Sequence, residues 1–326
     1  MKEADVETIG VILLNLGGPE KLEDVEPFLF NLFSDRQIIR LGPKFLQKTI
    51  ARMIARRRAP KSSKNYALIG GGSPLNRITG EQGRALAAEL APAGNFRVAM
   101  AMRYWHPFAG ETLKEFDRDG VRRIVGLTLY PHYSQATTGS SMDDLRRVMA
   151  GFSPGFELVE IASWPDQPNY VQSLARTIRQ GLDAFGEDDV ELVYSAHSLP
   201  VKFIDEGDPY LEEIDRTVKA IEKVIGRSGK LCFQSRSGPV EWLSPSTPDM
   251  LESLAGEGCK RVLMVPISFV SDHVETLYEI DIEYGELARE LGIELKRTES
   301  LNVLPDFISG LKNLVVDACQ RKGWLE

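Results

Sequence analysis

The sequence predicts an α/β protein of two Rossmann-like domains, each a parallel sheet flanked by helices, with a ligand cleft between them. Three observations carry this. The chain repeats itself, apolar strand-like runs alternate with helical stretches, and polar side chains gather just after several of those runs. Alternating strands and helices build a parallel sheet covered on both faces, and such sheets bind ligands beyond the carboxyl ends of their strands.

The repeat is direct. Glu111 to Thr138, "ETLKEFDRDGVRRIVGLTLYPHYSQATT", aligns without gaps on Asp249 to Thr276, "DMLESLAGEGCKRVLMVPISFVSDHVET". Each copy reads as a helix, a glycine turn, a basic pair, an apolar strand and a polar loop. Val98 to Trp105, "VAMAMRYW", resembles Leu231 to Gly238, "LCFQSRSG", with Arg103 matching Arg236. The opening strand "ILLNLGGP" matches "LVYSAHSLP" at Leu192 to Pro200 within one residue. Stretches such as "GEQGRALAAEL" and "YLEEIDRTVKAIEKVI" supply helices between the strands.

Between the first strand and the first such helix lies a span with no acid. Arg36 to Gly80 contains eleven lysines and arginines, with Phe45, Leu46, Ile50, Met53 and Ile54 interleaved. A basic, amphipathic segment of this kind suits an anionic ligand or an anionic membrane surface. It ends in "GGGSP", Gly70 to Pro74, which has neither the GxGxxG nor the GxxxxGK[ST] pattern. Nucleotide use is therefore not expected, and these glycines read as a turn bringing backbone close to a ligand.

Composition excludes other classes. The net charge of −8 argues against a nucleic-acid partner. No window is apolar enough for a transmembrane helix, and the first residues lack the pattern of a signal peptide. Cys232, Cys259 and Cys319 lie far apart, so neither a disulfide framework nor a thiolate zinc site is expected, and a reduced cytoplasmic compartment is.

The candidate chemistry lies in the second copy. His197 ends the strand "VELVYSAH". His273 follows the apolar run "KRVLMVPISFV" and precedes Glu275, Glu279 and Glu283. On an α-helix the four-residue spacing stacks these glutamates on one face over about 12 Å. Three like charges in a column repel, and no lysine or arginine lies within the run. Imidazole with carboxylate suits a divalent first-row metal such as iron(II), and either group can accept protons near neutral pH.

Taken together, "LLNLGGPE", "IGGGSPLNRITGEQG", "MRYWHPF", "TLYPHYSQATTGSS", "SAHSLP", "GDPY" and "VPISFVSDHVETLYEIDIEY" resemble the ferrochelatase family over nearly the whole chain and in order. The resemblance implies insertion of Fe(II) into protoporphyrin IX, with release of two protons, to form protohaem. Coproporphyrin III is the alternative tetrapyrrole, and other chelatases or a non-enzymatic porphyrin carrier are the rival activities. It implies His197 at the porphyrin centre, Glu275 as its acidic partner, and Glu279 and Glu283 as an acidic path to the surface, all four candidates to touch the metal. By the same resemblance His273, Arg103 and Tyr104 line the pocket, and Arg57, Arg58, Tyr66 and Ser73 lie at the porphyrin lip. Fe(II) is then a substrate. No iron–sulfur cluster is expected, because the chain ends seven residues after Cys319 without clustered cysteines and Gln135 stands where some relatives have a loop cysteine. The expected organisation is residues 7–160 as the first domain with its lip, 161–300 as the second with His197 and Glu275, and 301–326 as a C-terminal helix packing back on the first. Weak, reversible contact with the inner face of a membrane is expected through residues 43–58.

Overall fold

The computed structural model describes residues 7–186 and 189–325. The leader reading of Met1 to Val6, and the last residue of the C-terminal stretch, lie outside the described residues. The chain forms two compact units, Met1–Trp164 with Val303–Glu326, and Pro165–Asn302.

In the first unit β1 (Ile9–Asn15), β2 (Phe96–Met102), β3 (Arg123–Thr128) and β4 (Glu157–Ile161) form one parallel sheet in the order β2-β1-β3-β4. Every residue of β1 is buried, which is why it reads as one apolar run and not as an alternation. Helices Ala109–Arg118 and Ser140–Met149 lay Leu113, Phe116, Met142 and Leu145 on Leu14 and Ile124, and burial of each such side chain contributes about 1.5–3 kcal/mol. The last helix, Pro305–Lys322, packs on helix Leu75–Leu90 and on β4, with the Phe307 ring 6.0 Å from that of Trp164.

The second unit repeats the plan. β5 (Glu191–His197), β6 (Lys230–Gln234), β7 (Arg261–Pro266) and β8 (Glu294–Arg297) are parallel in the order β6-β5-β7-β8. The duplicated segments fall on equivalent strands, β3 with β7 and β2 with β6. In each sheet the chain leaves the first strand to one side and returns on the other. The carboxyl ends of β5 and β7 therefore flank a topological switch point, where α/β sheets open a crevice.

After the third strand of each sheet comes a π-helical segment, Gln135–Gly139 in the first unit and Glu275–Tyr284 in the second. The ungapped alignment sets Gln135 on His273, so the two segments start at nearly the same place in the repeat. This corrects the α-helical column expected for the glutamates. In the wider i→i+5 turn, four residues fall short of a full turn, and the column is shorter than the about 12 Å of an α-helix. A four-residue repeat reports a helical face. It does not report which carbonyl each N–H reaches.

The acid-free stretch folds as helix Gln47–Leu68 after a short turn at Lys44–Leu46. Its buried stripe is Ala51, Ala55 and Ala59, small residues that allow close packing on helix Val25–Ser34. The larger apolar groups face out instead, Phe45 at 81% and Met53 at 65% exposed. In the glycine turn, Gly70 and Gly71 take φ of 108° and 94°. A Cβ on Gly72 would sit 2.1 Å from the Glu20 carbonyl oxygen. The close approach there is between two backbone segments of the protein, which differs from the expected approach to a ligand.

Candidate active site

Three strand ends of the second unit converge on one group of side chains. His197 is the last residue of β5 and lies opposite Gln234, the last of β6. The turn after β7 supplies Ser268, Phe269 and His273, and the π-helix begins at Glu275. The His197 backbone is held on both sides, its N–H donating to Ser268 Oγ at 2.9 Å and its carbonyl accepting from the Tyr210 hydroxyl at 3.0 Å. Its imidazole Nδ1 lies 2.8 Å from Glu275 Oε2. A carboxylate accepts, so Nδ1 carries the proton in the neutral ring and Nε2 is the basic nitrogen. The His197 side chain keeps 36% of its surface open, against 17% for Glu275.

The rest of the site fixes Glu279. Gln234 is buried, and its side-chain oxygen accepts from Ser195 at 2.7 Å. That leaves its amide nitrogen to donate to the Glu275 carbonyl at 3.0 Å and to Glu279 Oε2 at 3.2 Å. Ser235 donates to the same carboxylate oxygen at 2.5 Å. Glu283, one step further along, is exposed. The three glutamates thus grade from a paired inner group through a half-buried one to the surface. His273 is buried and its Nδ1 donates to the Ser271 carbonyl at 3.0 Å, which turns Nε2 towards Glu275 Oε2 at 4.0 Å.

Electrostatics follow from this packing. Burial opposes charge on His197, but Glu275, and then Glu279, outweigh it and hold its pKa above the ordinary histidine value. Burial likewise opposes charge on Glu275, yet His197 and His273 bring its pKa well below the usual carboxylate range. Glu279 is hydrogen-bonded instead by Gln234 and Ser235. Burial, and the charge of Glu275 beside it, push it up to about 7. Burial brings the pKa of His273 below the ordinary histidine value, in the opposite direction to His197. Among the described residues, no three His, Cys, Asp or Glu side chains gather closely enough to hold an ion. The four residues expected to touch metal stand one after another, an arrangement suited to passing a cation along.

Of the four histidines, only His197 and His273 belong to this group. His132 is buried in the first unit with its pKa lowered by burial to about 3, and His106 bonds Glu111 at 2.9 Å. Gln234, Ser235, Tyr210 and Ser268 were not singled out from the sequence. The signal for the first two was the repeat itself, which sets "QSR" at a strand end against "AMR".

The site residues expected in the first unit fall in three places. Arg103 and Tyr104 follow β2 and converge on Asp35. Arg103 Nη2 and the Tyr104 hydroxyl donate to Asp35 Oδ2 at 2.9 and 2.7 Å, and Ser140 Oγ donates to the same oxygen. Tyr104 is 1% exposed, while the Arg103 side chain is 23% exposed. Burial opposes the Asp35 charge, but Ser140 and these neighbours outweigh it and lower its pKa. Arg57 lines a groove of about 570 Å³ along its helix with Lys48, Arg52, Met53 and Arg56. The neighbouring Arg58 guanidinium lies 5.3 Å over the Phe33 ring, and Tyr66 is buried. Ser73 lines a separate depression of about 600 Å³ with Glu20, Arg77 and Arg84.

Comparison with known proteins agrees with the fold. A profile of the ferrochelatase family matches residues 8–319. Ferrochelatase of Desulfotalea psychrophila is 55% identical over 95% of this chain and 97% of its own. Ferrochelatase of Geotalea uraniireducens is 53% identical with the same coverage. Among solved structures, SirB from Bacillus subtilis with Fe3+ shares the fold at a TM-score of 0.57 and 10% identity, covering 98% of this chain and 99% of that one. The chain belongs to the ferrochelatase family, enzymes that insert iron(II) into a porphyrin.

Proposed function

We propose that the protein inserts iron(II) into protoporphyrin IX to form protohaem, with His197 and Glu275 at the reacting centre. The observation that carries this is the 2.8 Å pair of His197 Nδ1 and Glu275 Oε2 at a sheet switch point, continued outward by Glu279 and Glu283. Metallation forms four iron–nitrogen bonds and breaks two pyrrole N–H bonds. His197 Nε2 takes the two pyrrole protons in turn, passing on the first before it takes the second, and Glu275 stabilises the imidazolium formed each time. Glu279, with a pKa near neutrality, then exchanges protons with Glu283 and solvent.

The file of glutamates serves positive charge in both directions. One dication in and two protons out leave its charge unchanged. Carboxylate oxygens bind hydrated iron(II) weakly enough to release it, and a passing cation relieves the repulsion between Glu275 and Glu279. This supports Glu279 and Glu283 as transient metal contacts. Arg57 and Arg58 are proposed to hold the porphyrin propionates, since a guanidinium matches a carboxylate with two parallel bonds. Arg103, braced by Asp35, is proposed to face the macrocycle, with Tyr104 as its buried support. Tyr66 and Ser73 shape the lip, and His273 shapes the pocket beside Glu275. No nucleotide, nucleic acid or iron–sulfur cluster has a part in this chemistry.

The exposed Phe45 and Met53, beside Lys48, Arg52 and Arg56, are proposed to rest weakly on the anionic cytoplasmic face of a membrane. Each cation adds about 1 kcal/mol near such a surface, and the attraction falls with salt. Among the described residues, no helix is long and apolar enough to cross a membrane.

Anaerobic turnover of the purified protein with iron(II) tests the assignment. Visible spectra should show a metalloporphyrin forming repeatedly, faster from protoporphyrin IX than from coproporphyrin III. Faster turnover of coproporphyrin III would reassign the tetrapyrrole. Binding without turnover of either would make the protein a carrier.

A further inference from the structure

We infer that Arg297 is a positioning residue for metal insertion, one that staples the acidic π-helix to the last strand of its sheet and keeps cations off the face bearing Glu275, Glu279 and Glu283. The inference rests on the reading of those glutamates as the route for iron(II). Arg297 ends β8, and its side chain is only 12% exposed. Its Nε and Nη2 bind Asp281 Oδ1 and Oδ2 at 2.7 and 2.9 Å, a paired fork in the middle of the π-helix. Its Nη1 reaches Asp272 Oδ1 at 3.2 Å, just ahead of His273.

Asp272 is the second anchor. It accepts from Thr276 Oγ1 at 3.2 Å, Ser300 Oγ at 2.7 Å and Asn302 Nδ2 at 2.9 Å. Thr276 is the residue after Glu275, so this network sets the first turn of the π-helix, while the fork to Asp281 sets the stretch between Glu279 and Glu283. One arginine thus ties down the start of the run and the stretch between its second and third glutamates. It also compensates the two aspartates, whose charge would otherwise crowd the same short segment.

The repeat shows why the charge sits on the strand. Strand registers pair Arg123 with Glu157 and Arg261 with Glu294, which sets Glu160 of β4 in the place of Arg297. The first unit has a staple at this position too, with its polarity reversed. Arg146 on the helix grips Glu160 on the strand through two bonds of 2.6 Å, and also binds Asp143. Continued without gaps, the alignment sets Asp143 on Asp281 and Arg146 on Tyr284. In the second unit the cation has moved from helix to strand, and the helix is left with carboxylates alone. A guanidinium at position 284 would stand next to Glu283, pair with it and repel the cation that the column is there to pass.

The test is the iron(II) dependence of turnover by Arg297→Gln, Arg297→Lys and Asp281→Asn, alongside porphyrin binding by fluorescence quenching and thermal unfolding of each variant. Arg297→Gln should raise the apparent KM for iron(II) by about tenfold, the scale on which loss of a supporting partner weakens a metal site, with porphyrin affinity unchanged. Arg297→Lys should recover only part of this, because lysine cannot fork onto a carboxylate. Asp281→Asn keeps the Asp272 anchor and should give a smaller rise in the same direction, so a poorly folding Arg297→Gln still leaves a reading. An unchanged iron KM in all three, with kcat falling only with the folded fraction, would make the staple purely structural and overturn the inference. Glu279→Gln separates the two ideas. If it raises the iron KM while the staple variants do not, the inference alone fails. If it too leaves the iron KM unchanged, the iron-route reading has failed.

Discussion

Ser235 donates its hydroxyl to Glu279 at 2.5 Å from a backbone with φ of 67°. A non-glycine residue in the left-handed region costs about 1 kcal/mol or more, and it persists when its surroundings require it. Here the requirement is a donor to a carboxylate that already stands against the charge of Glu275. Ser235→Gly should relieve the backbone and lose the hydrogen bond. The expected result is a melting temperature equal to or above that of the parent, with a severalfold lower turnover. Calorimetry and steady-state rates on the same preparation check this, and a full rate in Ser235→Gly would remove the hydroxyl from the path.

His197 and Glu275 set a pH window. The raised pKa of His197 contributes stability that is complete below the ordinary histidine value and is lost as pH rises through the raised one. The depressed pKa of Glu275 contributes stability present above the ordinary carboxylate value and lost as pH falls through the depressed one. The pair therefore stabilises the fold between those two limits. NMR titration of the His197 ring should give a pKa above the ordinary value, and Glu275→Gln should lower it. A ring that titrates no lower in Glu275→Gln would contradict the pairing.

Loss of activity should be graded along the file. His197→Ala and Glu275→Gln alter the two groups proposed at the reacting centre and should reduce kcat by about a hundredfold or more, the scale of a general acid–base group. Glu279→Gln should cost less, and Glu283→Gln least, because Glu283 is exposed and water can replace it. Equal losses at the three glutamates would argue against a path. Retained circular dichroism in His197→Ala would show that its loss is chemical.

Arg57 and Arg58 should act on affinity. Arg58→Ala is expected to raise the apparent porphyrin KM severalfold with little change in kcat, the signature of binding shared by ground and transition states. Collapse of kcat at constant KM would give the residue a different part. The adjacent Arg57 lines the groove on its helix and should behave likewise.

Cys319 is buried in the C-terminal helix, where burial pushes the thiol pKa up to about 11. A thiol so placed is a packing group and not a ligand. The purified protein should show no iron–sulfur absorbance, and Cys319→Ser should turn over at the parent rate with a slightly lower melting temperature. A visible cluster signal that disappears in the variant would reverse this.

The amino-acid sequence by itself determined the two α/β halves, because buried parallel strands must be apolar along their whole length and the repeat doubles every such run. It also determined in which half imidazole and a file of carboxylates occur together. His197, Glu275, Glu279 and Glu283 have no counterparts of like charge in the first copy, where Thr137, Ser141 and Leu145 stand against the three glutamates. Only the tertiary structure decided how those residues work. The pitch of the glutamate column depends on i→i+5 bonding, in a segment held by contacts to Asp272, Arg297 and, at the Glu275 carbonyl, Gln234. The opposite pKa shifts of Glu275 and Glu279 arise because one has His197 within 2.8 Å, while for the other burial and the charge of Glu275 outweigh its hydrogen bonds and the attraction of His197. Linear spacing places these residues on a helix face, but their partners come from strand ends 41 to 78 residues away, and no local pattern reports them.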